Sequence, residues 1–170
     1  MPSIELLLDA DADAAVREQW VSLADAGIRS QHHHAGASNA PHVTAIFATT
    51  ALPPAAPPPP RNGAMLGGLL VFPGRRGSVL ARTVVVTAEL LAWQSELRHS
   101  LPVDAAVDPH TEPGAWTPHV TLARSVPGDR LGDAIDVVGR LDLPITFPSV
   151  RMWDAATQTL TVLHRASAAR

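Results

Sequence analysis

Apolar positions along the chain switch between a two-residue and a roughly four-residue period. Residues 3–8, with Ile4, Leu6, Leu7 and Leu8, read as a first strand. Asp9, Asp11 and Asp13 follow where a helix N-terminus favours negative charge, and Val16, Trp20 and Leu23 recur at helical spacing before Gly27. The acidic run also admits a metal-binding reading, but helix-terminal charge accounts for it. Residues 29–40 are polar, with His32, His33 and His34 in succession, and read as a loop. Three adjacent histidines cannot all face one point, although one could reach a neighbouring site or a metal.

A strand at 41–48 leads into the proline run of the 51–62 loop, a stiff spacer that crosses the molecule. Its other reading is a ligand for a proline-binding module. Strands at 63–72 and 78–86 are joined by Pro73-Gly74-Arg75-Arg76-Gly77, which has hairpin punctuation. Thr87 is placed to cap a helix whose apolar stripe is Leu90, Trp93, Leu97 and Leu101, ended by Pro102. After a loop comes a strand from Pro118, then a helix capped by Asp129 with Leu131, Ile135 and Val138 on one side. Strands at 144–153 and 158–164 close the chain as a hairpin, and residues 166–170 are expected to fray.

Two of these strands begin identically: Pro41-His42-Val43-Thr44 and Pro118-His119-Val120-Thr121. A lone His-x-Thr is weak evidence, whereas a matched tetrapeptide opening two apolar strands is not coincidence. In a strand, residues i and i+2 share a face, so each imidazole and hydroxyl look into the same space. If the strands are neighbours, His42, Thr44, His119 and Thr121 converge on one cavity, with two groups that titrate near neutrality and two hydroxyls for oxyanion oxygens. The bland alternative is a pair of half-buried histidines satisfied by the backbone. Each half carries a motif strand with helices and further strands. This predicts one α+β domain over residues 1–170, built of two duplicated, pseudo-symmetric lobes with the motifs face to face.

Composition narrows the chemistry. The chain has no Cys and no Lys, all 13 basic residues being Arg. That removes thiolate nucleophiles, Cys-ligated zinc, Schiff bases and lysyl-nucleotide intermediates, leaving imidazole and carboxylate for proton transfer. A formal net charge of −3 argues against wrapping long nucleic acid, though not against a small substrate or one RNA end. With 170 residues, 46% hydrophobic, the chain suits a globular fold. No apolar run reaches the ~20 residues of a membrane span, and no signal-peptide pattern opens the chain, so a cytoplasmic monomer is expected.

The two motifs, the second running on as Leu122-Ala123-Arg124, together with Gly67-Gly68-Leu69-Leu70-Val71-Phe72-Pro73 and the strand and helix that follow, resemble the 2H phosphoesterase superfamily. The likeness is to its 2′-5′ RNA ligase (LigT-like) and RNA 2′,3′-cyclic phosphodiesterase branch. It implies a duplicated bilobal LigT-like fold, two mainly antiparallel sheets flanking a central groove with helices outside, and no metal, cofactor or ATP. It also implies catalysis by His42, Thr44, His119 and Thr121 on an RNA end or small cyclic nucleotide, with His119 favoured as base and His42 as acid. Two departures stand out: Ala45-Ile46-Phe47 occupies positions where that branch often has a Leu and a basic residue, and the proline run replaces a helix. Arg75, Arg76, Arg124, Phe47 and Trp116 are the candidate substrate contacts. Arg124, five residues beyond His119, is expected on the opposite strand face. Two other classes remain: a nucleotide or RNA-end binding module without turnover, and a hydrolase whose metal is held by His32–His34 with His42.

Overall fold

The computed structural model describes residues 1–36 and 38–165, so the expected fraying at 166–170 lies outside the described residues. In chain order the elements are β1 (Pro2–Leu7), α1 (Ala10–Asp25), β2 (His42–Phe47), β3 (Ala64–Phe72), β4 (Ser78–Val85), α2 (Ala88–Ser100) and β5 (His119–Val126). These are followed by α3 (Leu131–Val138), β6 (Leu143–Ile145), β7 (Ser149–Asp154) and β8 (Thr159–Arg165). The strands form two antiparallel sheets of four, in orders β2-β1-β7-β8 and β5-β4-β3-β6. Each motif strand is therefore the outer strand of its sheet. Residues of both sheets, among them Ile4, Leu6, Val43, Leu66, Leu80 and Val120, belong to one contiguous buried core.

Each half of the chain sends its helix to the other half's motif strand. α1 buries Ala12, Val16, Trp20 and Leu23, and the Trp20 indole donates to the Thr121 carbonyl of β5 at 3.1 Å. In the reciprocal place, Gln94 of α2 is buried and its amide donates to the Ala45 carbonyl of β2 at 3.4 Å. An outer strand offers unpaired backbone groups, and these side chains occupy them. Both helices start as their sequence requires. Asp9 accepts from the Ala12 amide at 3.0 Å, and Thr87 from the Leu90 amide at 3.1 Å, caps worth about 1 kcal/mol each.

Two expectations are corrected. Residues 144–153 are not one strand: β6 joins β3 in one sheet, and β7 joins β1 in the other. Pro144 and Pro148 lack amide donors, and between them Thr146 turns back to Asp9, donating from its amide at 2.6 Å and its hydroxyl at 3.0 Å. Nor does Asp129 cap α3. It lies inside a 3-10 turn, Gly128–Arg130, after which the helix begins without a side-chain cap. The 51–62 stretch crosses from β2 to β3 in irregular conformation over α2, where the Trp93 indole donates to the Pro57 carbonyl and the Glu89 carboxylate accepts from the Arg61 and Asn62 amides. No described helix is long and apolar enough to cross a membrane.

Candidate active site

Both motif strands carry the same irregularity at the same place. In the pairing of β1 with β2, Glu5 lies opposite Thr44 and Ile4 opposite Ile46, leaving Ala45 as an extra residue. In the pairing of β4 with β5, Ala81 lies opposite Thr121 and Leu80 opposite Ala123, leaving Leu122 extra. A bulge of one residue reverses the alternation beyond it. His and Thr keep the half-exposed face in both motifs, the next two residues are both buried, and the residue five after each histidine returns to the histidine's face. Phe47 and Arg124 are these equivalent positions.

The histidines are held alike. His42 Nδ1 lies 2.7 Å from the Ala40 carbonyl, and His119 Nδ1 lies 2.7 Å from the Thr117 carbonyl, in each case two residues upstream. A carbonyl can only accept, so Nδ1 carries the proton in both rings and Nε2 is left free to take or give one. The Thr44 carbonyl accepts the Trp116 indole at 2.9 Å, as the Thr121 carbonyl accepts Trp20, while the two threonine hydroxyls make no hydrogen bond among the described residues.

The surroundings differ. His42 Nε2 stands 3.7 Å from a carboxylate oxygen of Glu5, which is buried and bound by the Ser3 hydroxyl at 2.6 Å and Arg151 Nε at 2.7 Å. Arg151 also reaches the Ser38 carbonyl at 2.7 Å, bracing the loop that supplies Ala40. Among the described residues His119 has no such counter-charge. Its pKa lies below the ordinary 6.5, mainly because burial disfavours the cation; the charges of Arg124 and His42 push the same way, against the Thr117 carbonyl. The Phe72 ring lies against its imidazole, centroids 4.7 Å apart.

A cavity of about 520 Å³ opens over the first motif. Its floor is two cross-strand rows, Thr44-Glu5-Arg151 and Phe47-Ser3-Trp153, and β5 contributes Arg124 and Ser125. A family model for the 2′-5′ RNA ligase superfamily matches residues 12–155, a span that holds both motifs, all of the β5-β4-β3-β6 sheet, and β2 and β7 of the other. The chain belongs to the 2′-5′ RNA ligase superfamily. No curated protein matches it.

As a 2H phosphoesterase-type member of the 2′-5′ RNA ligase superfamily, it is placed among enzymes acting as phosphoesterases or ligases on RNA or nucleotides. Its two-sheet architecture is the α+β bilobal LigT-like fold that the resemblance implies. The candidate residues of this superfamily member divide into four groups. His42, Thr44, Phe47 and Arg124 line the cavity, whereas His119 and Thr121 stand outside its lining on the facing strand. Arg124 is thus on the histidine's side, contrary to plain alternation, because of the bulge. Trp116 is not in the cavity lining, its indole being engaged by the Thr44 carbonyl. Arg75 and Arg76 are exposed in the β3–β4 turn and are not among the residues that line the cavity.

Sequence reasoning missed Glu5, Arg151, Phe72 and Trp153. Strand pairing creates their proximity, and the only local signal was Phe72 ending an apolar run. Of the histidine triplet, His33 and His34 line the cavity mouth. Among the described residues no group of three or more His, Asp or Glu is arranged to hold a metal.

Proposed function

We propose that the protein is a metal-independent phosphoesterase that opens a 2′,3′-cyclic phosphate on a nucleotide or RNA end. The observation that carries this reading is the matched anchoring of two imidazoles on facing strands, each with Nε2 free and a threonine hydroxyl two residues on. His119, which favours its neutral form, is the base: Nε2 takes a proton from water as the water oxygen bonds to phosphorus. His42, with Glu5 as counter-charge, is the acid: Nε2 gives its proton to the ribose oxygen whose bond to phosphorus breaks. The products are a phosphomonoester and a free ribose hydroxyl, and proton exchange with solvent resets the pair. Thr44 and Thr121 donate to the non-bridging oxygens. Run in the same direction with a ribose 5′-hydroxyl in place of water, the same geometry makes a 2′-5′ phosphodiester and frees the 3′-hydroxyl, the ligase activity. The test is turnover of 2′,3′-cyclic nucleotides and cyclic-phosphate RNA ends; failure to hydrolyse any of them overturns the reading.

Two imidazoles and two hydroxyls are a complete set for acid-base displacement. Full activity is therefore expected after exhaustive EDTA treatment. Loss restored by zinc or manganese would contradict this.

The role assignment has a pH signature. A base with a lowered pKa stays unprotonated to lower pH, so the acidic limb of kcat/KM is expected below the ordinary 6.5. Arg124→Gln removes a like charge from beside His119 and moves that limb upward. Because the two histidines interact, the limbs belong to the pair. An acidic limb unmoved by Arg124→Gln would reverse the assignment.

A further inference from the structure

The segment that follows α1 runs antiparallel to the end of β5, with Ser30 bridged to Ala123. That direction sets Arg29, one residue before the bridge, alongside Arg124, one residue after it, and both line the cavity. Like charges set opposite each other across antiparallel chains repel. Among the described residues neither guanidinium has an ion-pair partner, although the other ion pairs engage Arg17, Arg98, Arg130, Arg140 and Arg151. The cavity's one carboxylate, Glu5, is buried and already bound by Arg151 and Ser3.

The backbone that follows Arg29 is braced from beneath. The buried Ser30 hydroxyl donates to the Trp20 carbonyl and accepts the His32 amide, and the Asn39 amide clamps the Gln31 and His34 carbonyls. Beyond Arg124, Ser125 has φ 57°, a left-handed conformation that non-glycine residues adopt at a cost and that clusters at functional sites. His33 and His34 add donors at the mouth. Two unneutralised guanidiniums lining one concave site, each a planar fork of donors, suit the recognition of a phosphate.

We propose that Arg29, paired with Arg124, forms a second anion subsite for a phosphate other than the one being cleaved, so that the preferred substrate is a nucleotide or RNA end carrying at least two phosphate groups. This rests on the cyclic-phosphate reading of the neighbouring site. The second group is either a terminal phosphate monoester or the phosphodiester linking to an upstream nucleotide.

Calorimetric affinities of three product-like probes test it: adenosine 2′-phosphate, adenosine 2′,5′-bisphosphate, and an adenosine dinucleotide ending in a 2′-phosphate. In the wild type, the bisphosphate or the dinucleotide should bind at least about tenfold more tightly than the monophosphate, the size of one charge-assisted contact. The probe that gains identifies the source. Arg29→Ala should shrink that gain to about twofold or less, and Arg29→Lys should keep part of it. Equal affinity for all three probes in the wild type, or a full gain surviving in Arg29→Ala, overturns the subsite. Turnover of 2′,3′-cyclic AMP by the same samples separates the two ideas. Turnover without a second-phosphate gain sinks the subsite alone, whereas a gain without turnover sinks the hydrolase reading and leaves a phosphate-recognition site.

Discussion

Replacing His42 or His119 with alanine should lower kcat on a 2′,3′-cyclic phosphate by at least about 10², because each removes one properly placed proton transfer, an effect typically worth ~10² to 10⁴. Both imidazoles are half-exposed and anchored only to a local carbonyl, so fold and melting temperature should change little. Each variant should also lose one limb of the pH profile. Thr44→Ala and Thr121→Ala should be milder, since each removes a hydrogen bond to the phosphoryl group and leaves proton transfer intact. The measurement is steady-state kinetics across pH, with circular dichroism for folding. Near-wild-type rates in both histidine variants would make the motifs structural and favour a binding module without turnover.

Arg82→Met should destabilise the protein by about 3 kcal/mol without touching the motifs. Arg82 is 1% exposed in β4, and its guanidinium reaches four partners. These are Gln19 Oε1 of α1 at 3.1 Å, the Gly67 carbonyl of β3 at 3.4 Å, and the Val138 and Gly139 carbonyls at the end of α3, each at 2.7 Å. A cation there satisfies carbonyls that the helix end leaves free and complements its dipole. Methionine keeps most of the volume but no donor, so buried acceptors go unpaired at roughly 1 to 3 kcal/mol each, partly relieved by relaxation. For a chain of this size the melting temperature should fall by roughly 10 °C. A shift of under about 2 °C would mean that water replaces the guanidinium at the α3 terminus.

Periodicity and punctuation were enough for the elements whose stabilisation is local. The Val16-Trp20-Leu23 stripe, the Thr87 cap and the Pro73–Gly77 turn each carry their signal within a few residues. So do the paired tetrapeptides, and the family match supports the membership that they implied. Local signals failed where the chain changes sheets. Residues 144–153 have strand composition throughout, but whether they make one strand or two depends on Asp9, far away in sequence, accepting from Thr146. The α3 start failed similarly: Asp129 is a good capping residue, yet the preceding chain winds into a 3-10 turn that leaves it inside.

The sequence by itself determined the α+β class and the superfamily, and it singled out four candidate residues, because a repeated His-x-Thr is a chemical signature carried within each tetrapeptide. Only the tertiary structure decided what surrounds them. The extra residues Ala45 and Leu122 are ordinary apolar residues in the sequence, and only pairing with β1 and β4 makes them bulges that swing Phe47 and Arg124 onto the motif face. Glu5 stands by His42, and Arg29 by Arg124, through strand pairing and a single bridge between segments distant in the chain. Burial and charge at each imidazole are sums over such non-local neighbours. Two identical tetrapeptides therefore stand in different surroundings, a buried carboxylate beside His42 and an aromatic ring against His119.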